Sequence, residues 1–129
     1  MGINMVAAII VTYNRKELLY ECLLHIKESE YLDLLIFVVD NASTDGTYQY
    51  IKEFIDNEKI RYINTGRNLG GAGGFAYGIK EAFRYNCNYF WLMDDDCIVN
   101  KKTLSYLVKT SENLDGKFGF LSSVVKWKD

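Results

Sequence analysis

The chain has 129 residues, a net charge of −2 and 49% hydrophobic residues. That length fits one domain with a real core. A slight acidic balance with scattered basic residues argues against a nucleic-acid-binding surface, and no apolar run approaches the ~18 residues of a membrane span. Cys22, Cys87 and Cys97 are odd in number and widely spaced. No CxxC pair occurs, so neither a zinc ribbon nor a disulfide framework is expected, and the reading is free buried thiols in a reducing cytosol. The start, Met1-Gly2-Ile3-Asn4, lacks the features of a signal peptide, and Val6 stands where a myristoylation signal needs Ser or Thr.

Met5 to Val11 is a continuous apolar run, which reads as a strand covered on both faces. Asn14 then offers a helix N-cap, with Glu17 completing a capping-box-like start. Leu18, Leu19, Cys22, Leu23 and Ile26 recur at helical spacing. Leu34 to Val39 is a second buried strand, ending at Asp40-Asn41. The polar loop Ala42-Ser43-Thr44-Asp45-Gly46-Thr47 follows, with Asp45 suited to start a helix. That helix carries Tyr48, Ile51, Phe54 and Ile55 on one face, and Ile60 to Asn64 is a short alternating strand.

The loop from Thr65 to Gly74 is rich in glycine, and Phe75, Ile79, Ala82 and Phe83 form the expected buried side of the next helix. Gly70, Gly74 and Gly78 recur every four residues. Glycine inside a helix costs about 1 kcal/mol relative to alanine, so close approach to a ligand or a neighbouring element is implied. Asn88 to Met93 is a strand that ends in Asp94-Asp95-Asp96. Asn100 can cap a helix with Leu104, Leu107 and Val108 inside, and Phe118 to Val125 is a last apolar strand.

Alternating apolar strands and amphipathic helices imply a mainly parallel α/β sheet with helices on both faces. Ligands of such sheets bind outside the carboxyl ends of the strands. The polar loops after the first four strands should therefore share one edge. Three adjacent carboxylates at a strand tip repel one another and need a counter-charge, for which a divalent cation with oxygen ligands is suited. The glycine loop, with Arg67, can meet phosphate oxygens at a helix start. It is neither a P-loop nor a dinucleotide fingerprint. Asp40 can accept from a base N–H or a ribose hydroxyl, or cap its own loop. Thr12 and Arg15 can line a base pocket. His25 falls in a helix body, away from that edge, and is not expected to be catalytic. A metal-bound nucleoside diphosphate fits this combination.

V-T-Y-N-R at 11–15, V-V-D-N-A-S-T-D-G-T at 38–47, N-L-G-G-A-G-G-F at 68–75 and W-L-M-D-D-D at 91–96 resemble the family-two glycosyltransferases. The last two motifs look most like the branch with galactofuranosyltransferases and rhamnosyltransferases. The resemblance spans roughly residues 5–125. It implies a Rossmann-like GT-A nucleotide-diphospho-sugar transferase fold, truncated at the C-terminus. It also implies metal-dependent inverting transfer of a sugar to a glycan or lipid-linked hydroxyl acceptor. By that resemblance Thr12, Tyr13, Arg15 and Asp40 surround the base and ribose of a UDP- or dTDP-sugar, and Arg67, Asn68, Gly70 and Gly71 lie near the ribose and diphosphate. Asp94 and Asp96 hold Mg or Mn, and Asp95 faces the donor sugar.

Such enzymes take the acceptor-activating base, and a further metal ligand, from a segment well beyond the acid triplet. Glu112, Asp115 and Asp129 are unconvincing substitutes, so the general base is expected outside this chain. Residues 1–129 thus read as a single nucleotide-sugar-binding domain, the N-terminal part of a longer cytoplasmic enzyme, with peripheral association at the inner membrane face compatible with a lipid-linked acceptor. A catalytically silent binding module is the rival reading. A nucleotidyltransferase is a weaker one, because V-T-Y-N-R supplies no early glycine-and-lysine motif.

Overall fold

Apolar runs too short for helices become the strands of one parallel sheet. The computed structural model describes residues 5–114. The strands are β1 (Val6–Thr12), β2 (Leu34–Asp40), β3 (Ile60–Asn64) and β4 (Tyr89–Asp94), in the spatial order β3-β2-β1-β4. β1, β2 and β4 each run one residue beyond their apolar stretch, because the ladder continues through the polar tip. Thr12 pairs with Asp40, Asp40 with Asn64, and Val11 with Asp94. The register therefore brings the four strand ends to one edge, as the sequence implied.

Helices α1 (Lys16–Ile26), α2 (Thr47–Ile55) and α4 (Thr103–Asn113) supply one face of the core. Their Leu19, Leu23, Ile26, Ile51, Phe54, Leu104 and Val108 pack on Val6, Ala8 and Ile10 of β1. Helix α3 (Gly70–Ala82) lies on the opposite face, where Ala82, Phe75 and Ile79 meet Ala7, Ile9, Phe37 and Val39. The alternation of β1 residues between the two clusters follows from the two-residue period of a strand. The chain order turns back between β1 and β4, since β3 reaches β4 only by carrying α3 across the sheet. That reversal is a topological switch point, where open α/β sheets place their ligands.

Several local expectations are corrected. Leu18 is 40% exposed and off the buried stripe, and Phe83 is 64% exposed, in a 3-10 turn (Phe83–Tyr85) where it stacks on Phe90. Leu107 is only half-buried. Asn100 does not cap α4 with its side chain, whose Oδ1 instead accepts from the Lys102 amide at 2.9 Å. Asn14 does not cap α1: it adopts φ 52°, and its carboxamide turns to the next loop. The strand expected over 118–125 lies outside the described residues. Among the described residues, no helix is long and apolar enough to cross a membrane.

Candidate donor site at the strand ends

The switch point carries a buried polar cluster. Thr12, at the end of β1, is 2% exposed, and its hydroxyl donates to Asp95 Oδ2 at 2.9 Å. Arg15 Nη1 lies 3.1 Å from the other oxygen of Asp95, and its Nη2 lies 3.3 Å from Asp96 Oδ2. Asp95 therefore does not face outward. It is 2% exposed, whereas Asp94 and Asp96 on either side are exposed. Asp94 closes β4, and Asp95 and Asp96 fall in the turn that follows, which sends the Asp95 side chain inward and leaves its two neighbours in solvent. A turn in which the Cys97 amide donates to the Asp94 carbonyl at 3.2 Å ends the strand there. Burial pushes the Asp95 carboxyl above the usual range, with Asp96 and Asp94 adding to the rise. Thr12 and Arg15 pull it the other way. Arg15, placed beside the base by the resemblance, sits here on the acid triplet.

The loop after β2 is tied down by its own polar side chains. Asp40 is 1% exposed. Its Oδ1 accepts from the Ser43 amide at 2.9 Å and its Oδ2 from the Tyr62 hydroxyl. Burial, reinforced by Asp40, raises the Tyr62 phenol well above its usual range. Of the two roles open to Asp40 in the sequence, the structure shows the loop cap. Asn14 clips the loop from β1: its amide donates to Ser43 Oγ at 2.9 Å, and its Oδ1 accepts from the Thr44 amide at 2.6 Å. Asp45 Oδ2 accepts from the Lys16 amide at 3.3 Å, at the first residue of α1, and Oδ1 accepts from the Thr47 hydroxyl in α2. Asp45 thus supports the starts of two helices rather than one. Partial burial would raise its pKa, but Thr47 and the Lys16 amide and charge bring it below the usual value.

Asn41, which the sequence reading did not single out, joins this loop to the glycine loop. It is 2% exposed. Its Nδ2 donates to the Gly70 carbonyl at 3.0 Å, and its Oδ1 accepts from Thr65 Oγ1 at 3.2 Å and the Leu69 amide at 3.4 Å. An amide directly after a strand-end Asp was the available signal, since a buried carboxamide must find partners.

The glycines divide into two groups. A Cβ on Gly74 would lie 2.7 Å from Val11 Cγ1, and one on Gly78 would lie 2.5 Å from Ile9 Cγ2, so these two let α3 rest on β1. At Gly70 and Gly71 a Cβ would meet nothing within 4 Å, and Gly70 adopts φ 74°. The start of α3 therefore faces open space. Asn68 Oδ1 accepts from the Gly70 amide at 2.8 Å and shapes that start. Arg67 and Tyr13 are exposed at the same edge. His25 lies in the last turn of α1, its Nδ1 2.8 Å from the Glu21 carbonyl oxygen, and plays no part in this edge.

Among the described residues, no group of three or more His, Cys, Asp or Glu is disposed to hold a metal ion. Two exposed carboxylates, Asp94 and Asp96, are present. That donor set fits a hard cation that takes one or two carboxylates and completes its shell with substrate phosphates and water.

These features define an α/β domain with a polar, acid-tipped site at the switch point of its sheet. The chain belongs to Glycosyl transferase family 2, which it matches over residues 7–118. The galactofuranosyltransferase GlfT1 of Mycolicibacterium smegmatis is 36% identical over 95 residues, covering 72% of this chain and 30% of that protein. The abequosyltransferase RfbV of Salmonella typhimurium is 36% identical over 107 residues, covering 80% of this chain and 31% of that protein. Among solved structures, Staphylococcus aureus TarS 1-349 superposes with a TM-score of 0.76 at 23% identity, covering 86% of this chain and 33% of that one; it supports the GT-A fold. The mannosyltransferase PcManGT from Pyrobaculum calidifontis, solved with GDP-Man and Mn2+, gives 0.69 at 27% identity, covering 82% of this chain and 32% of that one. The chain thus spans about a third of the length of these proteins.

Proposed function

We propose that residues 1–129 form the donor-binding part of a metal-dependent inverting glycosyltransferase, which moves a galactofuranose- or rhamnose-type sugar from a nucleoside diphosphate to a glycan or lipid-linked hydroxyl. The observation that carries this reading is the pairing of two exposed carboxylates with an open, glycine-lined helix start at one switch point. UDP- or dTDP-sugars are the proposed donors. Of the structural neighbours, TarS has been solved with UDP and with UDP-GlcNAc.

In this reading Thr12, Tyr13 and Arg15 border the nucleoside, and Asp40 acts by holding the 40–47 loop in shape. Arg67 and Asn68, with Gly70 and Gly71, receive the ribose and diphosphate. Because Asn68 already takes the Gly70 amide, an anion would meet the amides that follow it in the first turn of α3. Asp94 and Asp96 would hold Mg or Mn, which when bound neutralises charge on the departing diphosphate. Asp95 serves this edge from below, by fixing Thr12 and Arg15. The base that activates the acceptor is assigned to a part of the enzyme outside residues 1–129, which on their own bind donor without transferring it. A cytoplasmic enzyme with its acceptor at the inner membrane face is the setting proposed.

Calorimetry with UDP and with dTDP, with and without Mn2+, tests the reading. Metal-enhanced binding is expected, and it is lost in Asp94→Asn and Asp96→Asn. Absence of binding to either nucleotide at millimolar concentration, in a folded sample, overturns it.

A further inference from the structure

The acid triplet needs a counter-charge, and the fold provides one of its own. Arg15 spans two of the three carboxylates, and its two contacts differ in kind. The Nη1 contact is to Asp95, whose side chain is 3% exposed and whose second oxygen is held by Thr12. The Nη2 contact is to Asp96, whose side chain is 51% exposed. The Arg15 side chain is 45% exposed, so the difference lies in the carboxylates: a buried, hydrogen-bonded carboxylate is costly to leave unpaired, whereas a pair with an exposed one is worth little and exchanges readily. The guanidinium is thus tethered at one end and exchangeable at the other.

Its backbone is fixed on both sides. Asn14 is clipped to Ser43 and Thr44, and the Lys16 amide is bonded to Asp45. The loop after β2 therefore sets where Arg15 stands relative to the tip of β4.

We propose that Arg15 is a positioning residue, an internal counter-cation that shares Asp96 with the divalent metal of the donor. Its Nη1 keeps Asp95 in place throughout, and its Nη2 releases Asp96 when the metal–nucleotide complex arrives. The charges support the exchange, since one guanidinium against three carboxylates leaves two negative charges uncompensated at the tip, and a divalent ion still finds carboxylates to bind there. Without nucleotide and metal, the same guanidinium limits the repulsion at the tip of β4. This inference rests on the assignment of Asp94 and Asp96 as metal ligands.

Two measurements test it. In the wild-type protein labelled with 15N-arginine, the Arg15 side-chain resonances should move further on adding Mg2+ with UDP than on adding UDP alone. In Mn2+ titrations followed by electron paramagnetic resonance, with UDP present, Arg15→Gln should bind the ion roughly tenfold more tightly, as expected for removing a nearby competing charge. Arg61→Gln, a change of equal charge on a side chain stacked over Tyr85, should leave the affinity unchanged. Arg15 resonances that move no further with saturating Mg2+ and UDP than with UDP alone overturn the inference even if the Arg15 variant fails to fold. It also falls if Arg15→Gln binds no tighter than wild type, or no tighter than Arg61→Gln, while Asp96→Asn weakens binding; the metal assignment then survives. Failure of the wild type to bind Mn2+ with UDP overturns both.

Discussion

The carboxamide of Asn41 donates to the Gly70 carbonyl at 3.0 Å and, through its oxygen, accepts from Leu69 and Thr65. One side chain thus fixes the distance between the loop after β2 and the start of α3, the two segments proposed to receive nucleoside and diphosphate. Asn41→Ala should lose all three bonds and leave the partly buried Leu69 amide and Gly70 carbonyl short of partners. A loss of about 2–3 kcal/mol is expected in urea unfolding, together with weaker UDP binding in calorimetry. Asn41→Asp removes the donor to Gly70 and sets a buried carboxylate against that carbonyl oxygen and beside Asp40, so it should cost at least as much.

The two groups of glycines predict opposite outcomes for one kind of substitution. At Gly78 a Cβ would sit 2.5 Å from Ile9 Cγ2 and 2.9 Å from Val39 Cγ2. Overpacking of about 1–3 kcal/mol then exceeds or cancels the roughly 1 kcal/mol gained in helix propensity. At Gly71 a Cβ meets nothing within 4 Å, so Gly71→Ala should be neutral or slightly stabilising. Thermal melts check both. Gly71→Ala should nonetheless weaken nucleotide binding, because the added methyl stands where the diphosphate is proposed to approach.

Asp45 gives the fold an acid-sensitive joint. Its carboxyl lies below the usual value of 3.8 because the bonds and charge from Thr47 and Lys16 outweigh its partial burial. A folded value below the unfolded one contributes stability above the unfolded pKa, and that contribution is lost as pH falls through the folded one. Asp45→Asn should therefore be less stable than wild type at neutral pH. The gap should close below the ordinary carboxylate range. Denaturant melts across that range measure it.

Cys22 behaves in the opposite sense. Burial pushes its thiol up from 9.0 to about 12. In the native protein it should resist aromatic disulfide reagents at pH 8 and react on unfolding, at the unfolding rate. Because its folded pKa is the higher one, its contribution is present below the unfolded value and is lost as pH rises from about 9 towards 12. The slope is at most about 1.4 kcal/mol per pH unit. Cys22→Ala should remove that part of the alkaline slope.

The sheet was legible because its inner strands, β1 and β2, are short apolar runs covered on both faces, and each strand's polar tip could be read as a strand end. The convergence of Thr12, Asp40, Asn64 and Asp94 on one edge followed from parallel alternation alone. Helix stripes were legible in their centres and failed at their ends, where Leu18 and Phe83 turn outward. An end residue has fewer neighbours to bury it, so periodicity loses its force there. Asn14 misled for a related reason: its motif suits a local cap, but its carboxamide found Thr44 in the loop after β2.

Among the described residues, the chain's own pattern marks which segments form strands and helices, and that the acid triplet and the glycine loop share an edge. These follow from side-chain period and apolar content, which are local. Only the tertiary structure decided which polar groups satisfy one another. Thr12 meets Asp95 across 83 positions of chain, and Asn41 meets Gly70 across 29. A carboxylate or carboxamide accepts many partners equally well, and only the packed positions of the strands choose among them. That choice turned Asp95 inward and made Arg15 the counter-charge of the triplet.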